Sequence, residues 1–299
     1  MPRTSFDALL EAGAHFGHLK RKWNPNIAPF VFGEKNGIHI IDLNKTLAQI
    51  EEAASALKQV AKSGRTVLFV ATKKQAKNII NEAVKDINMP CVTERWTGGM
   101  LTNFATIRRS VRKMADMNKM AADGSLETLS KKEKLQISRQ RDKLAHHLGT
   151  IANMTRLPAA VFVVDITKEH IAISEARKLN IPTFAIVDTN SNPNLVDFAI
   201  PANDDSSTSI RIVVDTIVKA IKEGLEERKE AQVQNKLQQD DKKDNESSMD
   251  ETAEAAPSME ANEDEEDENI DEVRAESKES ENEQKGKKNF PKKPYRATK

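Results

Sequence analysis

The sequence predicts an α/β protein: a doubly wound parallel sheet, an inserted antiparallel helical hairpin and a disordered C-terminal tail. Short, unbroken apolar runs at 67–71, 159–164 and 183–187, rich in Val, Ile and Phe, suit strands covered by helices on both faces. Between them, residues 103–152 carry two helical stripes in place of the expected strand–helix alternation. Beyond residue 231 the apolar periodicity ends.

Residues 4–12 read as a short helix, with Thr4 as cap, Asp7 completing a capping-box pattern and Gly13 as stop. The following HFGHLKRKWNPNIAPFVFGEKNGIHI has turn formers and no sustained period. It is expected to be an ordered, extended segment ending in a strand at 38–41. Residues 44–63 place Leu47, Ile50, Ala54, Leu57 and Val60 or Ala61 at helical spacing before Gly64. Further helices are predicted at 74–87, 168–180 and 205–230. The last of these carries Ile210, Val213, Val214, Ile217, Val218, Ile221 and Leu225 on one stripe.

In 103–152 the first helix aligns Ile107, Val111, Met114, Met117 and Ala121, and a turn follows at Asp123-Gly124. The second, capped by Ser130 with Glu133, aligns Ile137, Leu144, Leu148 and Ile151, interrupted by Arg141. Two such stripes bury each other as a hairpin. The predicted organisation is therefore an α/β body at 1–102 and 153–230, a hairpin at 103–152 and a tail at 231–299. Residues 240–283 are dominated by Asp, Glu, Asn and Ser, too polar to offset the entropy of ordering, and the end, KGKKNFPKKPYRATK, is basic.

The formal charge of zero hides an asymmetry: residues 1–230 hold 34 Lys and Arg against 26 Asp and Glu, while residues 231–299 hold 12 against 20. The one cysteine, Cys91, excludes an internal disulfide framework and a thiolate-rich zinc site, and its apolar neighbours predict a buried thiol. No apolar run approaches the ~18 residues of a membrane span, and the N-terminus lacks the apolar core of a secretion signal. A cytoplasmic protein is expected.

Asp165 and Asp188 fall at strand ends, where α/β proteins build their sites, and Asp204 and Asp205 add carboxylates that suit magnesium. Equally, such aspartates cap helices and shape turns. No paired catalytic carboxylate, nucleophile elbow or phosphate loop accompanies them, so no enzyme and no cofactor is expected. His15 and His18 form an HxxH pair, a weak metal signal without a third ligand, so packing is the expected role and no metal is assigned. His146 and His147 fall on the hairpin, in solvent or against RNA.

Cations are clustered. Lys20, Arg21 and Lys22 precede Trp23; Lys73, Lys74 and Lys77 follow a strand end; Arg108, Arg109, Arg112 and Lys113 recur at helical spacing. Residues 104–156 hold 12 Lys and Arg against 5 Asp and Glu, an imbalance better explained by phosphate contacts than by a solvated face. Gly98-Gly99 is read either as a backbone nest for phosphate or as an ordinary turn, and Arg95 and Trp96 beside it can stack on exposed bases. The candidate RNA-binding residues are thus Lys20, Arg21, Lys22, Trp23, Lys73, Lys74, Arg95, Trp96, Arg108, Arg109, Arg112 and Lys113.

The strings HFGHLKRKWNPNIAPFVFGEKNGIHIIDLNKT, LFVATK, RWTGGMLTN, LPAAVFVVD, EHIAISEA and IPTFAIVDTNSNPNLVDFAIPANDD, in this order over about residues 5–228, resemble the bacterial small-ribosomal-subunit protein two family. That resemblance implies a flavodoxin-like body with a protruding hairpin. It also implies ribosomal RNA and neighbouring ribosomal proteins as partners, recruitment of the large messenger-binding protein one, and no enzymatic role. Two positions depart from the family: Thr155-Arg156 stands where glycine is frequent, and Asn180 replaces a usual glycine. The tail lies outside the resemblance. Two alternatives compete with this reading: an α/β enzyme using the strand-end aspartates with a metal, and a receptor or adhesion role.

Overall fold

A computed structural model describes residues 3–124 and 130–250, with side chains through residue 234. The chain divides at residue 241, and Met1–Asp241 is one compact unit. In this unit, five parallel strands make the central sheet: β4 (Val67–Val70), β5 (Cys91–Val92), β6 (Ala160–Val164), β7 (Thr183–Val187) and β8 (Phe198–Pro201). Their spatial order, β5-β4-β6-β7-β8, is the flavodoxin-like order 2-1-3-4-5, with the direction of winding reversed between β4 and β6. Register is set residue for residue, Phe69 beside Phe162 and Phe162 beside Phe184.

The unbroken apolar runs have the cause inferred for them. Every residue of β4, β6 and β7 is buried, and alternate side chains enter different cores. On one face Phe69, Phe162 and Phe184 pack with α2 (Leu43–Lys62), α3 (Lys74–Lys85) and α7 (Ser207–Asp250). On the other, Leu68, Val70, Val161 and Val163 pack with α6 (His170–Lys178) and the foot of the hairpin. Cys91 is buried, as its neighbours required.

α2 and α7 approach so closely that a Cβ added to Gly224 would lie 2.5 Å from the Lys58 carbonyl oxygen and 3.1 Å from Ala61 Cβ. Gly224→Ala is accordingly expected to destabilise the body by about 1–3 kcal/mol through overpacking, despite the better helix propensity of alanine. A urea-unfolding midpoint equal to or above that of the parent chain would contradict this.

The N-terminal segment is more structured than its sequence showed. α1 (Phe6–Glu11) is capped by Ser5, whose Oγ accepts from the Ala8 backbone N–H at 3.2 Å. Thr4, the residue read as the cap, instead pairs its hydroxyl with that of Thr216 on α7, 2.6 Å away. The extended stretch contains two further strands, β1 (Phe16–Leu19) and β2 (Val31–Lys35), which flank β3 (Ile38–Ile41) as an antiparallel sheet. Register breaks in both pairings hide the two-residue period on which strand recognition depends.

The hairpin consists of α4 (Phe104–Ala122) and α5 (Lys131–Leu148), α5 opened by the full Ser130–Glu133 capping box. Ile107, Val111, Met114 and Met117 are buried in the seam, whereas Ala121 is exposed. From the second stripe Leu148 and Ile151 are buried and Ile137 and Leu144 half-buried. Asn180 has φ +52°, the left-handed conformation that makes glycine usual there and that asparagine tolerates.

The last predicted helix, 205–230, is longer than its apolar stripe indicates. α7 does not end near residue 230 but continues to Asp250. Residues 231–250 contain neither Gly nor Pro, so an existing helix propagates without a new nucleus. The rest of the expected tail, 251–299, with its acidic block and basic end, lies outside the described residues, as does 125–129 of the hairpin.

Candidate nucleic-acid interface

In a sheet of this order a ligand is expected in the crevice at the carboxyl ends of the strands, beside the reversal point. Here that crevice is filled by the protein's own side chains. Lys73, just after β4, reaches across it to Asp204 at 2.8 Å, Asp205 at 2.6 Å and Asp165 at 3.6 Å. Burial alone would lower the Lys73 pKa, but the hydrogen bonds to Asp204 and Asp205 prevail and push it up to about 12. Thr72 donates its backbone N–H to Glu169 at 3.1 Å, closing the same edge. Asp165 also accepts from the backbone N–H of Thr167 at 3.0 Å and of Lys168 at 3.3 Å, and so shapes the turn after β6.

The N-terminal segment covers what remains. His18 places Nδ1 3.0 Å from Asp188 and Nε2 3.4 Å from Asp205, and its backbone N–H donates to Thr189 Oγ1 at 2.7 Å. The hydrogen bond to Asp188, with the neighbouring negative charge, raises the His18 pKa against the effect of burial. Asp204 is pushed up to about 7, first by burial and then by the charges of Asp188 and Asp165. The HxxH pair therefore separates. His18 joins the carboxylates, whereas His15 turns its ring onto Phe16, with centroids 4.0 Å apart. Ligand atoms of His18, Asp188 and Asp204 lie within 4.8 Å of one another, and buried Asp204 Oδ2 has no hydrogen-bond partner among the described residues. One imidazole and two carboxylates could hold a divalent cation there.

The glycine pair resolves in favour of a nest, but not for phosphate. Backbone N–H groups of Gly99, Leu101 and Thr102 donate to the Glu175 carboxylate at 2.8, 3.0 and 3.1 Å. Gly99 has φ +85°, which lets the turn close around the oxygens. The Trp96 indole N–H donates to the same carboxylate at 3.1 Å, and the ring is buried. Against burial, these bonds, led by that from the Thr102 backbone, hold the Glu175 carboxyl below the usual carboxylate range. Trp96 is therefore a core residue, not a base-stacking one. Sequence reasoning missed Glu175; the available signal was a carboxylate on the apolar stripe of α6, beside Ala172 and Ala176.

The remaining cations divide by their surroundings. Lys73 is removed from the candidate interface by its three carboxylates. Arg108 is half-buried and donates Nη1 to the Met154 carbonyl at 2.8 Å, bracing the hairpin against the body. Arg109, Arg112 and Lys113 stand exposed on the outer face of α4 and make no ion pair among the described residues. Arg139 and Lys143 are likewise exposed on α5, where Arg141 is paired with Asp142. Lys20, Arg21 and Lys22 form an exposed helical turn, with Lys20 held by Glu34 at 2.7 Å. Trp23 lies against His39 with ring centroids 4.9 Å apart and stays 36% exposed, so stacking space remains. Lys74 and Arg95 are exposed.

Fold and surface together define a flavodoxin-like protein whose usual crevice is closed and whose unpaired cations project from a hairpin and an N-terminal turn. The sequence pattern of the ribosomal protein S2 family matches residues 9–224. The small ribosomal subunit protein uS2 of Phocaeicola vulgatus is 63% identical over 233 residues, covering 78% of this chain and 84% of the relative. Those of Bacteroides thetaiotaomicron and Porphyromonas gingivalis are 63% and 62% identical over 229 residues, 77% of this chain and 82% of each relative. The chain belongs to the ribosomal protein S2 family.

Proposed function

We propose that this protein is a non-catalytic component of the small ribosomal subunit, binding ribosomal RNA through the outer face of α4 and through the N-terminal turn. The observation that carries this is the row Arg109, Arg112 and Lys113, exposed and in no ion pair among the described residues. Positions three and four apart on a helix share a face, so the row matches a phosphate backbone. Arg21, Lys22 and half-exposed Trp23 add cations and a stacking surface at the other candidate contact. Lys20, Lys74 and Arg95 are retained as outer contacts.

Protein neighbours are supported by a different surface. Phe16, Leu19 and Phe32, on β1 and β2, are 48%, 42% and 80% exposed. Aliphatic and aromatic side chains there suit a polypeptide better than a sugar–phosphate strand. We assign this face to ribosomal proteins, the messenger-binding protein one among them. A ribosome-bound, cytoplasmic location follows from these partners. Among the described residues no helix is long and apolar enough to cross a membrane.

The test is sedimentation of a cell lysate under conditions that separate the subunits. The chain should migrate with small subunits in stoichiometric amount and be released progressively as salt rises. A chain that stays at the top of the gradient while correctly folded would refute the proposal.

A further inference from the structure

The opposite edge of the sheet holds a second, differently built concavity. Between the N-terminal ends of β4 and β6 lies a cleft of about 640 Å³, within the roughly 300–1,000 Å³ typical of sites for small organic groups. Arg65 and Arg156 line it; both are exposed, and neither makes an ion pair among the described residues. A third guanidinium stands at the rim. Arg228 lies so close over Gly64 that a Cβ added there would meet its Cζ at 2.2 Å. Leu157, 43% exposed, and Pro158 form an apolar wall beside them. Through the bond from Arg108 to the Met154 carbonyl, the foot of α4 adjoins the same cleft.

Like charges gathered around a concavity repel one another, and nothing in the described chain neutralises these. A guanidinium offers paired donors that match phosphate oxygens. An inorganic anion would use the arginines and leave the apolar wall bare. An apolar peptide side chain would leave the arginines unmatched. A nucleotide released from its stack uses both, phosphate to guanidinium and base face to hydrocarbon.

We propose that this cleft receives one unpaired nucleotide of ribosomal RNA, its phosphate between Arg65 and Arg156 and its base against Leu157. The assignment rests on the RNA-binding reading above and adds a contact separate from the outer face of α4.

The experiment replaces Leu157 by azidophenylalanine in the full-length chain, purifies small subunits, irradiates them and maps the crosslink. An adduct on an unpaired ribosomal RNA nucleotide is expected. Arg65→Glu together with Arg156→Glu should reduce it about tenfold or more, while lowering the salt slope of binding by about 1–2 through the lost phosphate contacts. Circular dichroism of the variants verifies that the body is folded. If the chain enters subunits but the probe crosslinks only to protein, or to nothing, the nucleotide site is refuted and the α4 interface stands. A crosslink that survives both charge reversals refutes the phosphate assignment. If the chain is absent from small subunits, both readings fall.

Discussion

Glu175→Ala is expected to lower the stability of the body by about 3–5 kcal/mol, because several buried donors lose their acceptor together and each unmatched group costs about 1–3 kcal/mol. Three backbone N–H groups, the Thr102 hydroxyl and the Trp96 indole all converge on this carboxylate. Some of the loss is recovered as the 96–102 turn opens to water. Trp96 should then become more accessible, which fluorescence quenching in a Trp23→Phe background reads directly. Glu175→Gln, retaining one acceptor oxygen but directing an amide N–H₂ at donors, should fall between.

The pH dependence of this effect follows from the depressed folded pKa. The folded state favours the charged carboxylate more than the unfolded state does, so its stabilisation is complete above the unfolded value of 4.5. It is lost as pH falls through the folded value. The stability difference between the parent chain and Glu175→Ala should therefore narrow on acidification below about pH 4.5. A variant that unfolds within about 0.5 kcal/mol of the parent at neutral pH would show that the loop does not depend on this nest.

The largest functional effect is expected from Arg109→Glu, Arg112→Glu and Lys113→Glu combined. If each contacts one phosphate, their loss lowers the salt slope of RNA binding by about 2–3, from roughly 0.7–0.9 per contact. At about 1 kcal/mol per lost contact, affinity falls by roughly 100-fold, more once the new carboxylates repel the backbone. All three positions are exposed and glutamate is a good helix former, so helix content should be unchanged. In competition with the parent chain, the triple variant should be largely excluded from small subunits. Incorporation at parity with an unchanged salt slope would place the RNA contact elsewhere. Arg108 is left intact because its guanidinium holds the Met154 carbonyl, and reversing it would confuse anchoring with binding.

Much of the architecture could be read locally. A strand buried on both faces has to be apolar at every position, so β4, β6 and β7 were visible as continuous runs. A helical seam has to recur every three or four residues, and a capping box occupies four consecutive positions, so the hairpin and the start of α5 were equally plain. β5 and β8 were harder. Two residues set no period, and β8 ends on Pro201 as a short run whose pairing partner lies elsewhere in the chain. The helical path to Asp250 was missed because polar composition reports the lack of a core and says little about local hydrogen bonding.

What the sequence determined by itself was therefore the layered α/β body, the inserted hairpin and the excess of positive charge on it. Which cations remain available was decided only by tertiary structure. Lys73 and Lys74 are neighbours, yet one is enclosed by three carboxylates from two other strand ends and the other faces solvent. Trp96 lies beside exposed Arg95 but is withdrawn into the core by a carboxylate 79 residues further along the chain. Charge and exposure patterns are local properties, legible along the chain. Whether a charge is already neutralised depends on which distant segments the sheet order brings within a few ångströms, and no spacing rule carries that information.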